Sequence, residues 1–143
     1  MDLPEYISRA EVQRVCTALG LRDWTALSEA KITLAEAQKI QAEVGAEARQ
    51  IPAEEFQQGL EVELEHGLQF SDTNVTNNHP LLTGKIVTAH LKESLDYYLR
   101  LQVAELEGDL LKASHKEDAD KLLAVYRKLV KARATLAKRE AGA

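Results

Sequence analysis

The chain has one cysteine, three prolines and seven glycines in 143 residues, and aromatics make up only 5%. A lone Cys16 excludes an internal disulfide and fits a reducing cytoplasm. It falls on an apolar helical face, which reads as a buried, unreactive thiol. Scarce Gly and Pro remove most turn signals, and no sustained apolar–polar alternation marks a strand. No run approaches the roughly 20 apolar residues of a membrane helix. Met1-Asp2-Leu3-Pro4-Glu5 lacks the basic and apolar regions of a signal peptide, so the expected location is the cytoplasm. The Asn74-Val75-Thr76 acceptor pattern carries no weight without secretion. Gly-rich phosphate loops, nucleophile elbows and Cys–His clusters are missing too.

What is present favours helix. Ala, Leu, Glu, Lys and Gln dominate long runs, and 143 residues suffice for one domain with a real core. The net charge of −5 is uneven. Residues 1–115 hold 10 Lys/Arg and 19 Asp/Glu, giving −9, whereas residues 116–143 hold 8 and 4, giving +4. An acidic body argues against nucleic acid as a partner. The basic tail reads as a wet helix face, with docking to an acidic partner or a membrane surface as the weaker alternative.

Helix boundaries follow from caps and periodicity. Ser8-Arg9-Ala10-Glu11 and Thr33-Leu34-Ala35-Glu36 are capping-box patterns. Val12, Val15, Cys16 and Leu19 continue the first, with Gly20 as stop; Leu34, Ala37, Ile40 and Val44 continue the second to about Gly45. Trp24 and Leu27 pin the ambiguous stretch between them. Pro52 opens a helix through Phe56, Leu60, Glu63 and Leu64, with Gly67 as C-terminal cap. Ser71 to His79 reads as a polar loop. From Pro80 the pattern predicts one helix to about Glu107, with Ile86, His90, Glu93, Tyr97 and Leu101 as its stripe and Gly108 as its stop. A last helix covers about 116–140, with Leu122, Tyr126, Leu129 and Leu136 on one side and Lys121, Lys128, Lys131 and Lys138 opposite. The expectation is an all-α, compact helical bundle of about five helices, built on a central antiparallel hairpin of about 52–66 and 80–107.

That hairpin carries the candidate chemistry. Glu63-x-x-His66 lies on one helix and the inverted His90-x-x-Glu93 on the other. Residues three apart sit on neighbouring turns of one face. In an antiparallel pair His66 lies level with His90 and Glu63 with Glu93, so four ligating groups can meet. Two imidazoles with one or two carboxylates suit Zn²⁺ or Fe²⁺, at about 2.0–2.2 Å for zinc. The inversion argues against a ferritin-like di-iron centre, which needs two Glu-x-x-His motifs and two further carboxylates. Glu36 and Glu43 fall on the polar side of their helix, and Glu61 and Glu65 read as solvated, with Glu65 a candidate partner for a ligand imidazole. The competing reading is a structural polar network: Glu63, His66, His90 and Glu93 fix helix register, and the protein is a non-catalytic interaction module. Its terminal amphipathic helices would then bind a protein partner or a second copy. Asp72-x-Asn74-x-Thr76-x-Asn78 has calcium-loop spacing, but Asn77 and Thr83 stand where Gly and Glu belong, so it reads as a hydrogen-bonded loop. His79 reads as a helix cap or a spare ligand, His115 as a linker residue, and Tyr97-Tyr98 as core plus surface. No reaction is assigned.

Glu63-Leu64-Glu65-His66-Gly67, Asn74-Val75-Thr76-Asn77, Leu82-Thr83-Gly84-Lys85-Ile86, Ala89-His90-Leu91-Lys92-Glu93 and Asp96-Tyr97-Tyr98 together resemble an uncharacterised family of small helical bacterial and phage proteins, a domain of unknown function. The resemblance covers about residues 34–107, leaving 1–33 and 108–143 as additions to that core within a single domain. It implies a helical fold and supplies no activity. His79 departs from it where an acidic residue is usual. Ser94-Leu95 departs where an apolar residue and Pro are usual, which implies an unkinked long helix.

Overall fold

A computed structural model describes residues 7–142; Met1–Glu5, read above for a signal peptide, lies outside them. The described residues form six α-helices and no strand: α1 (Arg9–Leu19), α2 (Leu34–Val44), α3 (Ala53–Gln69), α4 (Pro80–Glu93), α5 (Tyr97–His115) and α6 (Ala119–Ala141). The chain divides into two compact units, one ending at Leu95 and one beginning at Asp96.

In the first unit α2, α3 and α4 pack against one another, and α1 lies against the 3₁₀ turn Trp24–Ala26 and α4. Phe56, Leu60 and Leu64 of α3, Ala37 and Ile40 of α2, and Val87 and Leu91 of α4 are buried together with Val12, Cys16 and Trp24. Gly84 sets how closely α4 approaches. A Cβ there would stand 2.7 Å from Val44 Cγ2 and 2.9 Å from Ile40 Cγ2.

The caps form where local chemistry predicts them. Ser8 Oγ accepts from the Glu11 amide at 3.2 Å, and Gly20 closes α1 in the left-handed conformation. The reciprocal half of the first box is diverted, because the Glu11 carboxylate grips Arg14 at 2.7 Å. Thr33 and Glu36 complete theirs.

Three boundaries differ from the sequence expectation. First, α3 runs past Gly67 to Gln69. Gly67 is a contact point: a Cβ there would lie 2.0 Å from Asn78 Oδ1 and 3.0 Å from Asn74 Nδ2. Second, the expected helix 80–107 is two. Ser94 is extended (φ −158°, ψ 132°) and α5 starts after Asp96. Ser and Asp compete with the helix for backbone hydrogen bonds, and Asp96 grips Arg100 in the first turn of α5 at 2.7 Å. The break forms without a proline. Third, α5 continues through Gly108 to His115. One interior glycine costs about 1 kcal/mol against alanine, less than the packing of the leucines on either side. The stop is instead Glu117, in the left-handed region at φ 53°, and the Asp118 carboxylate caps α6 by accepting from the Lys121 amide at 2.9 Å.

The second unit is the α5–α6 hairpin. Its covered positions recur every three and four residues: Leu99, Val103, Leu106, Leu110 and Ala113 on α5, Leu122, Val125, Leu129, Ala132 and Leu136 on α6. That is an antiparallel coiled-coil seam. Val125 takes the place expected for Tyr126, which is half exposed. Tyr98 is buried beside half-buried Tyr97, ring centroids 5.1 Å apart and edge to face.

Candidate functional site

The α3–α4 contact brings Glu63 and His90 together. Glu63 Oε1 lies 3.6 Å from His90 Nε2, with both side chains partly covered. That separation is longer than a hydrogen bond. Glu63 therefore faces His90, where the sequence pairing set it level with Glu93. The register thus differs by about one turn, and α4 also buries a different stripe. Its covered residues are Thr83, Gly84, Val87, Thr88 and Leu91, whereas Ile86 and Glu93 are exposed. The expected stripe is thus rotated by one residue, about 100°. Thr88 tolerates burial because its hydroxyl donates to the Gly84 carbonyl one turn back, at 2.8 Å.

His66 is exposed. It shares with Glu63 the wall of a cleft of about 170 Å³, closed by Phe70, Asn74, Val75, Thr83 and Ile86. Among the described residues, no three His, Cys, Asp or Glu side chains are grouped to hold a metal ion. Of the expected four, Glu63 and His90 are in contact, and the described residues show no metal-holding group of three or more that includes His66 or Glu93.

The cleft has a firm rim. Asn74 Nδ2 donates to the Gly67 carbonyl at 3.2 Å and to Asn78 Oδ1 at 2.9 Å. Asn74 Oδ1 accepts from Thr76 Oγ1 at 3.2 Å, and Asn77 Nδ2 donates to the Ile7 carbonyl. Asn77 and Asn78 take φ of 48° and 57°, a region asparagine tolerates. The stretch with calcium-loop spacing is thus a loop held by its own amides. His79 ends it as the N-cap of α4, its Nδ1 accepting from the Leu82 amide at 3.4 Å. Burial holds the His79 imidazole below its usual pKa; the Glu11 carboxylate opposes this and the Arg14 guanidinium reinforces it.

Two carboxylates, Glu36 read on the polar side of its helix and Glu61 read as solvated, are structural. Glu36 is buried, where it takes Arg22 at 2.7 Å and the Thr33 amide and hydroxyl at 3.0 Å. Burial alone would raise its pKa, but these donors prevail and hold it at about 2. The capping box was the signal for Glu36; nothing in the spacing announced Arg22, fourteen residues away. Glu61 is half-buried and accepts from the Ile32 amide at 3.1 Å and from Lys31 at 3.3 Å. Glu65 is exposed, as expected. Cys16 is buried, and that burial pushes its thiol pKa up.

No described helix is long and apolar enough to cross a membrane. No curated protein and no solved structure matches the chain. A family model does, over residues 12–107, and so begins in α1, earlier than the motif resemblance, and ends within α5. With two-thirds of its length matched, the chain belongs to the family described as protein of unknown function (DUF5661).

Proposed function

We propose that this is a cytoplasmic helical interaction module, in which Glu63 and His90 form a structural polar pair that fixes how α3 meets α4. The observation that carries this is the 3.6 Å approach of the Glu63 carboxylate to the His90 imidazole at the edge of the core. A polar pair there favours the rotation of α4 that keeps the His90 side toward α3. A double-mutant cycle of Glu63→Gln and His90→Gln tests it. The expected coupling is about 0.5–1 kcal/mol, the range for a partly exposed pair. Additive single effects sink the reading.

The same contact supports a second reading, a divalent transition-metal site for Zn²⁺ or Fe²⁺. Glu63 and His90 already offer an oxygen and a nitrogen donor in contact, and His66 and Glu93 each lie one turn along the same helices. Closing a four-donor shell requires those two side chains to swing in. Protein purified without chelator should then carry stoichiometric metal, lost in His66→Ala and His90→Ala. Absence of metal, with no thermal shift on adding Zn²⁺ or Fe²⁺, removes this reading and leaves the structural pair.

A further inference from the structure

The α5–α6 hairpin has an apolar flank that its own seam does not cover. One residue ahead of the seam, α6 carries Leu123, Tyr126 and Val130, which are 48%, 50% and 48% exposed, and α5 carries Leu111 at 58%. Two ion pairs show that these side chains share one flank. Arg133 reaches Glu107 at 2.5 Å, and Arg100 reaches Glu140 at 2.9 Å. Both bridge the helices, seven residues apart on each, as one heptad of an antiparallel pair requires. Leu111 lies one turn past Glu107 on α5, and Val130 one turn before Arg133 on α6. In antiparallel helices both steps lead toward the connection at 116–118, and Tyr126 and Leu123 continue in that direction. The ion pairs therefore line one half of the flank and the apolar patch the other. The opposite flank of α6 carries exposed Lys121, Lys128, Lys131 and Lys138.

We propose that the apolar flank seats the same flank of a second copy of this chain, two hairpins closing into a four-helix bundle about a two-fold axis. This deepens the interaction-module reading by naming the partner. Charge selects the copy. A two-fold contact sets a surface against itself. The four charges on this flank, Arg100, Glu107, Arg133 and Glu140, are two of each sign and already paired. The opposite flank mixes the four α6 lysines with Glu105, Asp109 and Lys112 of α5, an excess of positive charge rather than the equal numbers of Arg100–Glu140 and Glu107–Arg133. Area agrees. The four half-exposed side chains leave roughly 400 Å² uncovered, near the largest apolar patch usual on a monomer. Two such faces with exposed Ala104, Ala119 and Ala137 bury on the order of 1,000 Å², the lower bound of a specific interface. The dimer is accordingly weak and concentration-dependent.

Sedimentation equilibrium of the full chain from about 1 to 500 µM tests this; that span covers affinities of about −8 to −4.5 kcal/mol. The mass should rise from the 15.9 kDa monomer toward twice that value. The Leu123→Lys/Val130→Lys variant should stay monomeric with unchanged helical circular dichroism, while Lys128→Glu/Lys131→Glu on the opposite flank still dimerises. Should the double-lysine variant lose helicity, Leu111→Lys on the other helix carries the same test. A wild-type chain monomeric throughout, or a dimer that survives the flank variants, overturns the proposal. Neither result touches the Glu63–His90 pair, which stands or falls on its own cycle.

Discussion

Asn78 and Gly67 show how one residue's identity is decided by another far along the chain. The Asn78 side chain rests on the α3 backbone where a Cβ at Gly67 would stand 2.0 Å from Oδ1. Gly67→Ala should therefore push Asn78 away and break its bond from Asn74. The expected cost is about 1–3 kcal/mol, the usual range for overpacking. Chemical denaturation measures it, and hydrogen exchange should quicken at the amides of the 74–79 loop. An unchanged midpoint would mean that the loop yields freely. The motif containing Gly67 was legible in the sequence and its role was not. A helix-terminating glycine and a glycine under a loop look alike until the loop is placed. Glu36 repeats the lesson: its capping role was readable from Thr33, but its burial depends on Arg22 arriving from another segment.

At the scale of the helix, identical substitutions should have opposite signs. Gly84→Ala places a methyl against Val44 and Ile40 in the core; overpacking of about 1–3 kcal/mol exceeds the helix-propensity gain of about 1 kcal/mol. Gly108→Ala has nothing within 4 Å of the new Cβ, so the propensity gain of about 0.5–1 kcal/mol stands alone. Thermal melts of the two variants should move in opposite directions; a shift of the same sign for both refutes the assignment of Gly84 as a crossing point. Helix starts at Ser8, Thr33 and Pro80 were readable because a cap is local chemistry. The ends near residues 67 and 108 were not, since glycine marks a stop only where packing does not carry the helix on. The face of α4 was misread for a related reason. It buries Gly84, Thr83 and Thr88, which apolar counting passes over.

For the whole molecule, pH dependence follows from two buried groups. Glu36 titrates at about 2 in the fold against an ordinary 4.5. Its contribution is complete above about 4.5 and is lost as pH falls through about 2. The His79 imidazole is held below its ordinary 6.5, and its Nδ1 must stay unprotonated to cap α4. The unfolded chain thus takes up the proton first, and stability declines as pH falls below 6.5 toward the folded value. Melting temperature should drop from pH 7.5 to 5. His79→Asn, which keeps a capping oxygen and removes the titration, should flatten that decline. An equal slope in the variant would place the effect elsewhere.

Helix content, most starts and the acidic-to-basic change along the chain were determined by the sequence, because propensity, caps and charge act over one or two turns. The tertiary structure decided which face each helix buries, where glycine is a contact rather than a stop, and which of four polar residues meet. Those outcomes depend on backbone distances between segments tens of residues apart, and periodicity within one segment carries no information about them.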